Sequence, residues 1–208
     1  SDETERSNVE HTQSDATISD QQKITCKTYQ HPRRRMKFSF SVPSDFNLKS
    51  TVQSHGWSDL PPFEVEDNGN QLSRCFELTS DKLIFASIKL QSTKNLEQST
   101  NDKVLLSVNT ELKCTSIEKK ELTNQIKTCL RLNEDYSSFY QEVKQHKEFQ
   151  WVLKFGAGRL MRAPTVLEDV VKMICTTNCS WALTKIMAQN LCEKLGRRVS
   201  GRRFDSSS

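Results

Sequence analysis

The sequence predicts an α+β fold: a small antiparallel sheet domain with a packed helix, followed by a partial all-α helical domain. Three observations carry this expectation. Hydropathy alternates with a period of two through residues 23–112, the period changes to 3.6 from Ser116 onward, and turn-forming runs separate the alternating stretches.

Lys37-Phe38-Ser39-Phe40-Ser41-Val42 alternates strictly and predicts the first strand. Residues 45–54 follow with Phe46, Leu48 and Val52 facing one way, so a short helix capped by Ser44 or Asp45 is expected to pack on the sheet. Asp67-Asn68-Gly69-Asn70 is a strong hairpin signal and Thr79-Ser80-Asp81 a weaker one. Around them, residues 72–78, 83–90 and 104–112 alternate in part and predict further strands. Residues 91–102, rich in Ser, Thr, Asn and Lys, read as a polar loop.

Residues 116–130 open with Ser-Ile-Glu-Lys, a cap followed by an early acid, and place Leu122, Ile126, Cys129 and Leu130 on one helical face. Tyr136, Phe139, Tyr140 and Val143 fall at i, i+3, i+4 and i+7 and build an aromatic face. Val166, Val170 and Ile174 form a stripe flanked by Leu167 and Val171, behind Pro164 and a Thr165 cap. Trp181, Leu183, Ile186, Met187, Leu191 and Leu195 supply the next inner face, and Gly196 is a natural stop. Each stripe reads first as core packing and says nothing about chemistry.

The chain thus divides into a disordered acidic tail (1–22), an antiparallel α+β domain (23–115), a helical domain (116–196) and a flexible basic, Ser-rich tail (197–208). In residues 1–22, six acidic side chains against Arg6 leave a charge of −5, and Val9 and Ile18 are the only large aliphatic residues. Such a segment cannot offset its ordering entropy by burial. It has no secretory apolar core and is too acidic for a transit peptide, and no apolar run reaches membrane-spanning length. The net charge of +4 over 208 residues does not by itself demand a nucleic-acid partner. Seven scattered cysteines, an odd number, suit free thiols in a reducing intracellular compartment better than a disulfide framework. Cys175 and Cys179 stand four apart with no second pair and no His near in sequence, so they are read as packing, with no metal and no cofactor expected.

Several runs carry a family likeness. Phe40-Ser41-Val42-Pro43-Ser44-Asp45-Phe46-Asn47-Leu48 gives a strand followed by a Pro-x-Asp-Phe-x-Leu helix start. Ser54-His55-Gly56-Trp57 is a short polar turn ending in Trp, and Leu130-Arg131-Leu132-Asn133-Glu134-Asp135 leads into the aromatic helix. Gly156-Ala157-Gly158-Arg159 opens a turn before the Pro164 helix, and Ile174-Cys175-Thr176-Thr177-Asn178 closes that helix. Over residues 36–196 the chain resembles the amino-terminal part of the helix-hairpin-helix (HhH-GPD) DNA glycosylases, in the 8-oxoguanine and alkyladenine branch. The resemblance implies base-excision repair, in which the N-glycosidic bond of a damaged base is hydrolysed. It also implies double-stranded DNA as partner and residence in the nucleus. The alternative is a non-catalytic DNA- or protein-binding module on the same scaffold.

A glycosylase pulls its target nucleotide out of the stack and must fill the gap. In the resemblance Asn178 takes that place, its amide able to donate to and accept from the orphaned partner base. The other reading of Asn178 is a cap for the helix that starts near Ser180. Arg159 and Arg162 are candidates for DNA contact, or for an internal ion pair that fixes the domain junction. His55 and Trp57 are candidates to line a base pocket, or plain core. Arg33-Arg34-Arg35 is a short basic cluster. Asp169 reads as a solvated helix position.

Two departures limit what the resemblance implies. The turn Val52-Gln53-Ser54-His55-Gly56-Trp57 lacks the glycine at the offset that 8-oxoguanine recognition uses. The family's Leu-Pro-Gly-Val/Ile-Gly loop, with the Gly/Pro-rich run and Asp that follow, does not occur before Ser208. The expectation is therefore a chain that stops ahead of the catalytic segment, with no catalytic residue assigned and no glycosylase activity of its own. Uncovered inner faces at residues 166–174 and 181–195 would then promote self-association.

Overall fold

The computed structural model describes residues 35–91 and 104–197. The acidic tail 1–22, Arg33, Arg34, residues 92–102 of the polar loop and residues 198–208 of the basic tail lie outside the described residues.

Five strands form one sheet: β1 (Met36–Val42), β2 (Glu64–Glu66), β3 (Gln71–Glu77), β4 (Leu83–Gln91) and β5 (Val104–Thr110). Their order is β1-β5-β4-β3-β2, and every neighbouring pair is antiparallel. Register follows the alternation in the sequence. Phe38 lies opposite Val108, Val108 opposite Ile88 and Ile88 opposite Leu72, so one buried row crosses four strands. The intervening Lys37, Ser39 and Ser41 face solvent. Asp67-Asn68-Gly69-Asn70 makes the β2–β3 turn, and residues 78–82 make the β3–β4 turn with Asp81 in the left-handed region. β2 was not foreseen: it is three residues long, Glu-Val-Glu, an edge too short to alternate.

Six α-helices are described: α1 (Leu48–Val52), α2 (Ser116–Cys129), α3 (Ser137–Gln145), α4 (Gln150–Phe155), α5 (Val166–Thr176) and α6 (Trp181–Leu195). α1 is shorter than predicted. Its cap is Asn47, whose side chain accepts from the Ser50 amide, while Ser44 and Asp45 lie outside the helix. α2 begins at a capping box one residue earlier than expected. Thr115 Oγ1 accepts from Glu118 N at 3.2 Å and Glu118 Oε2 accepts from Thr115 N at 2.8 Å, so two otherwise orphaned amides are satisfied.

Leu122, Ile126, Cys129 and Leu130 of α2 and its end pack with the sheet row, Met161 and Ala188 in one core. Burial pushes the Cys129 thiol up to about 12, so it stays protonated and unreactive. Tyr140 and Val143 of α3 meet Val152 of α4 in a second, smaller cluster.

The apolar faces of α5 and α6, read as core stripes that would lie bare without later helices, are exposed among the described residues. Val166 is 74% exposed and Ile174 63%, while Lys172 and Cys175 point inward. On α6, Leu183, Ile186 and Leu195 are exposed and Thr184 and Ala188 are buried. Arg197, expected to begin a flexible tail, instead bonds Glu77, Asp81 and the Asp81 carbonyl oxygen on the β3–β4 turn.

The Gly156–Gly158 turn is a close approach between chain segments. Gly156 ends α4 at φ +55, and a Cβ there would press into the Asp45 backbone carbonyl. Gly158, at φ +113, would put a Cβ 2.6 Å from the Phe139 ring. Gly156→Ala should therefore lower stability by about 2–3 kcal/mol in urea unfolding. A loss below about 0.5 kcal/mol would mean that the turn can shift away from Asp45.

Candidate nucleic-acid interface

Thr165 caps α5 by accepting from Glu168 N at 3.3 Å, and Glu168 and Asp169 follow in the first turn. Both acids are used internally. Glu168 takes both ends of the Arg74 guanidinium, at 3.2 and 2.9 Å, and also the Lys172 ammonium at 2.8 Å. Arg74 and Lys172 are each under 5% exposed. Both cations also lie 4.5 Å from the Phe63 ring centroid. Burial raises the Glu168 pKa, but the Arg74 charge and hydrogen bonds, with Lys172 behind them, outweigh it and leave the carboxyl below its usual range. Burial holds Lys172 below the usual lysine value against the opposing pull of Glu168.

Asp169, expected to be solvated, is half-buried and accepts from Trp57 Nε1 and from Ala163 N, both at 2.8 Å. Trp181 of α6 donates to Asp59 at 3.3 Å. The turn at residues 55–59 therefore ties both helices to the sheet side of the molecule.

The α5–α6 junction follows from local chemistry. Thr177 is the C-cap of α5 and donates its hydroxyl to Ile174 O, while Thr176 donates to Met173 O, both at 2.7 Å. Asn178 follows at φ +53, the left-handed position after a C-cap where Gly is commonest and Asn next. Cys179 and Thr184 both donate to Cys175 O at 2.9 Å. Ser180, not Asn178, caps α6, accepting from Leu183 N at 3.3 Å. The Asn178 side chain is exposed and has no hydrogen-bond partner among the described residues. Its amide thus presents two donor hydrogens and an acceptor oxygen at the tip between two helices.

The other candidates are not gathered at that tip as one site. Arg159 is 1% exposed and corrects the DNA-contact reading in favour of the ion pair. It bonds Asp45 at 2.9 Å, donates to the Arg131 and Glu134 carbonyls at 2.7 and 3.4 Å, and lies 4.1 Å from the Tyr136 ring centroid. The open cleft beside it, of about 640 Å³, has Asp45, Glu134 and Asp135 in its wall together with Lys144 and Arg159, so it offers no basic surface. Arg162 is half-buried, with Nε donating to Thr128 O at 3.3 Å, and its terminal nitrogens have no partner among the described residues.

Trp57 is 8% exposed and packs in the core, the second of the two readings given for it. His55 lies exposed upon it, rings 5.6 Å apart and nearly parallel, with Nδ1 2.8 Å from Ser54 Oγ. Burial lowers the His55 pKa; Asp169 opposes this and Arg131 adds to it, so the imidazole is neutral at neutral pH. No group of three His, Cys, Asp or Glu among the described residues is placed to hold a metal ion. None of the described helices is long and apolar enough to cross a membrane.

A five-stranded antiparallel sheet sharing a core with a helical array defines an α+β protein of DNA glycosylase-like fold. The fold is similar to that of the 3-methyladenine DNA-glycosylase from Archaeoglobus fulgidus, at a TM-score of 0.58 and 12% identity, over 76% of this chain. The match covers 50% of that protein's length, and at this identity the likeness is one of fold. No family model matches the chain, and no curated protein matches it.

Proposed function

We propose that this chain is a DNA glycosylase scaffold that holds duplex DNA containing a damaged base against the α5–α6 junction. Asn178 enters the duplex and pairs with the estranged base, and Arg162, away from that tip, is the candidate for a separate phosphate contact. The observation that carries the reading is an exposed, unpartnered asparagine amide fixed in a left-handed turn, on a fold similar to that of a 3-methyladenine DNA-glycosylase. The first turn of α6 contains no acidic residue, so backbone amides there also suit an anion. Hydrolysis of the N-glycosidic bond of the damaged base is the activity proposed for the whole protein, in the nucleus. Residues 1–208 alone are expected to bind without releasing a base, because the hairpin loop that grips phosphate in the resembled family is not in their sequence.

Fluorescence anisotropy tests the binding. Affinity for a duplex carrying an abasic-site analogue should fall as salt rises, with a slope near one per phosphate contact. Asn178→Ala should weaken the preference for that duplex over an intact one about tenfold, with unchanged circular dichroism. Equal preference in wild type and variant would remove Asn178 from the interface. Base release by the purified 208 residues would overturn the expectation of binding without cleavage.

A further inference from the structure

We infer, on the reading of Asn178 given above, that the turn at residues 56–59 aims the Asn178 amide and that Trp181 is the positioning residue through which it does so. This turn meets both helices that flank Asn178. Trp57 Nε1 donates to Asp169 Oδ1 on α5 at 2.8 Å, and Asp59 Oδ2 accepts from Trp181 Nε1 on α6 at 3.3 Å. Gly56 lies against the Trp181 ring: a Cβ there would stand 3.2 Å from Cζ2 and 3.8 Å from Cε2. The absence of a side chain at Gly56 lets the indole rest on the backbone of the turn. One short segment of the sheet side thus seats the end of α6 nearest the tip and the first turn of α5.

The tip itself is stiff. Cys179 and Thr184 both donate to Cys175 O at 2.9 Å, and Ser180 caps α6. These bonds close the α5–α6 junction, so the backbone at Asn178 moves with the helix pair. Only Cys179 and Ser180 separate Asn178 from Trp181. A tilt of α6 on its seat is therefore carried straight to the amide.

That coupling bears on selectivity. Two hydrogen bonds to the edge of an estranged base require a donor and an acceptor placed to within about 0.5 Å. Contacts with the phosphates of an intact duplex are mostly electrostatic and tolerate the same tilt. Trp181 accordingly acts on the preference for a duplex with a gap, and not on duplex binding as a whole. It is 38% exposed, so truncating it removes a brace and little core.

A double-mutant cycle read by fluorescence anisotropy tests this. Trp181→Ala should lower the preference for an abasic-analogue duplex over an intact one about fivefold, with circular dichroism and affinity for the intact duplex unchanged. Trp181→Phe, which keeps a flat ring over Gly56, should recover about half of that preference or more. In an Asn178→Ala background, Trp181→Ala should cost less than about twofold, because the side chain it aims is gone. Trp181→Leu, apolar but without a flat ring, carries the same expectation where Trp181→Ala does not fold. A full preference in Trp181→Ala, or an equal loss in both backgrounds, overturns the positioning role and leaves Asn178 its own. Equal weakening toward both duplexes overturns it as well. An Asn178→Ala variant with the full wild-type preference removes the amide from the interface, and its brace with it.

Discussion

Glu168→Gln should destabilise the fold by about 3–5 kcal/mol, one of the largest effects expected of a single substitution in this chain. The carboxylate lies between two buried cations, and a neutral amide would leave Arg74 and Lys172 facing each other without a counter-charge. Denaturant unfolding at neutral pH measures it, and a loss below about 1 kcal/mol would mean that water reaches the cluster. Adding Lys172→Met should recover part of the loss, since one uncompensated charge is then removed. Acid should act on the same cluster. The folded protein holds the Glu168 carboxyl below the usual glutamate value, so its contribution is complete above that usual value and is lost as pH falls through the lower folded value. The Gln variant should show a correspondingly shallower loss of stability on acidification.

Arg159→Ala should cost about 3–5 kcal/mol for a related reason. Its guanidinium joins the end of β1, through Asp45, to the carbonyls at Arg131 and Glu134 that lead into α3, and Tyr136 covers it. Removing it leaves buried acceptors unsatisfied and a cavity beneath the ring. Arg159→Lys should recover only part of this, because one ammonium cannot reproduce the fork that spans three acceptors. Full stability in the Lys variant would show that charge alone matters at this junction. The same buried geometry makes Arg159 a part of the scaffold instead of a hand for phosphate.

The sheet was legible because its signal is local. Phe38 and Phe40 alternate with polar neighbours, Asp67-Asn68-Gly69-Asn70 can turn the chain, and Thr165 stands where a helix cap belongs. The orientation of α5 was not legible. Hydropathy ranks Val166, Val170 and Ile174 above Lys172 and Cys175 and so gives no sign of the second, ionic face that packs on the sheet side. What decides the matter is a carboxylate required by Arg74, a strand residue 94 positions away. Asp169 was misread for the same cause, since its partner Trp57 lies 112 positions back in the chain. The i+4 spacing of Glu168 and Lys172 was the one local hint of an ionic face, and it is common on solvated helices. Asn178 was singled out as a candidate from the run of residues that precedes it, but its left-handed backbone and the Ser180 cap became visible only in three dimensions.

The most direct test of the central claim is proximity between residue 178 and the base opposite a lesion. An Asn178→Cys variant, mixed with a duplex whose base opposite an abasic-site analogue carries a tethered thiol, should form a disulfide-linked complex. Wild type, whose native cysteines set the background, and a Lys185→Cys control should link far less. Linking by Asn178→Cys no stronger than the control would contradict the account, because the α5–α6 tip would then not enter the duplex.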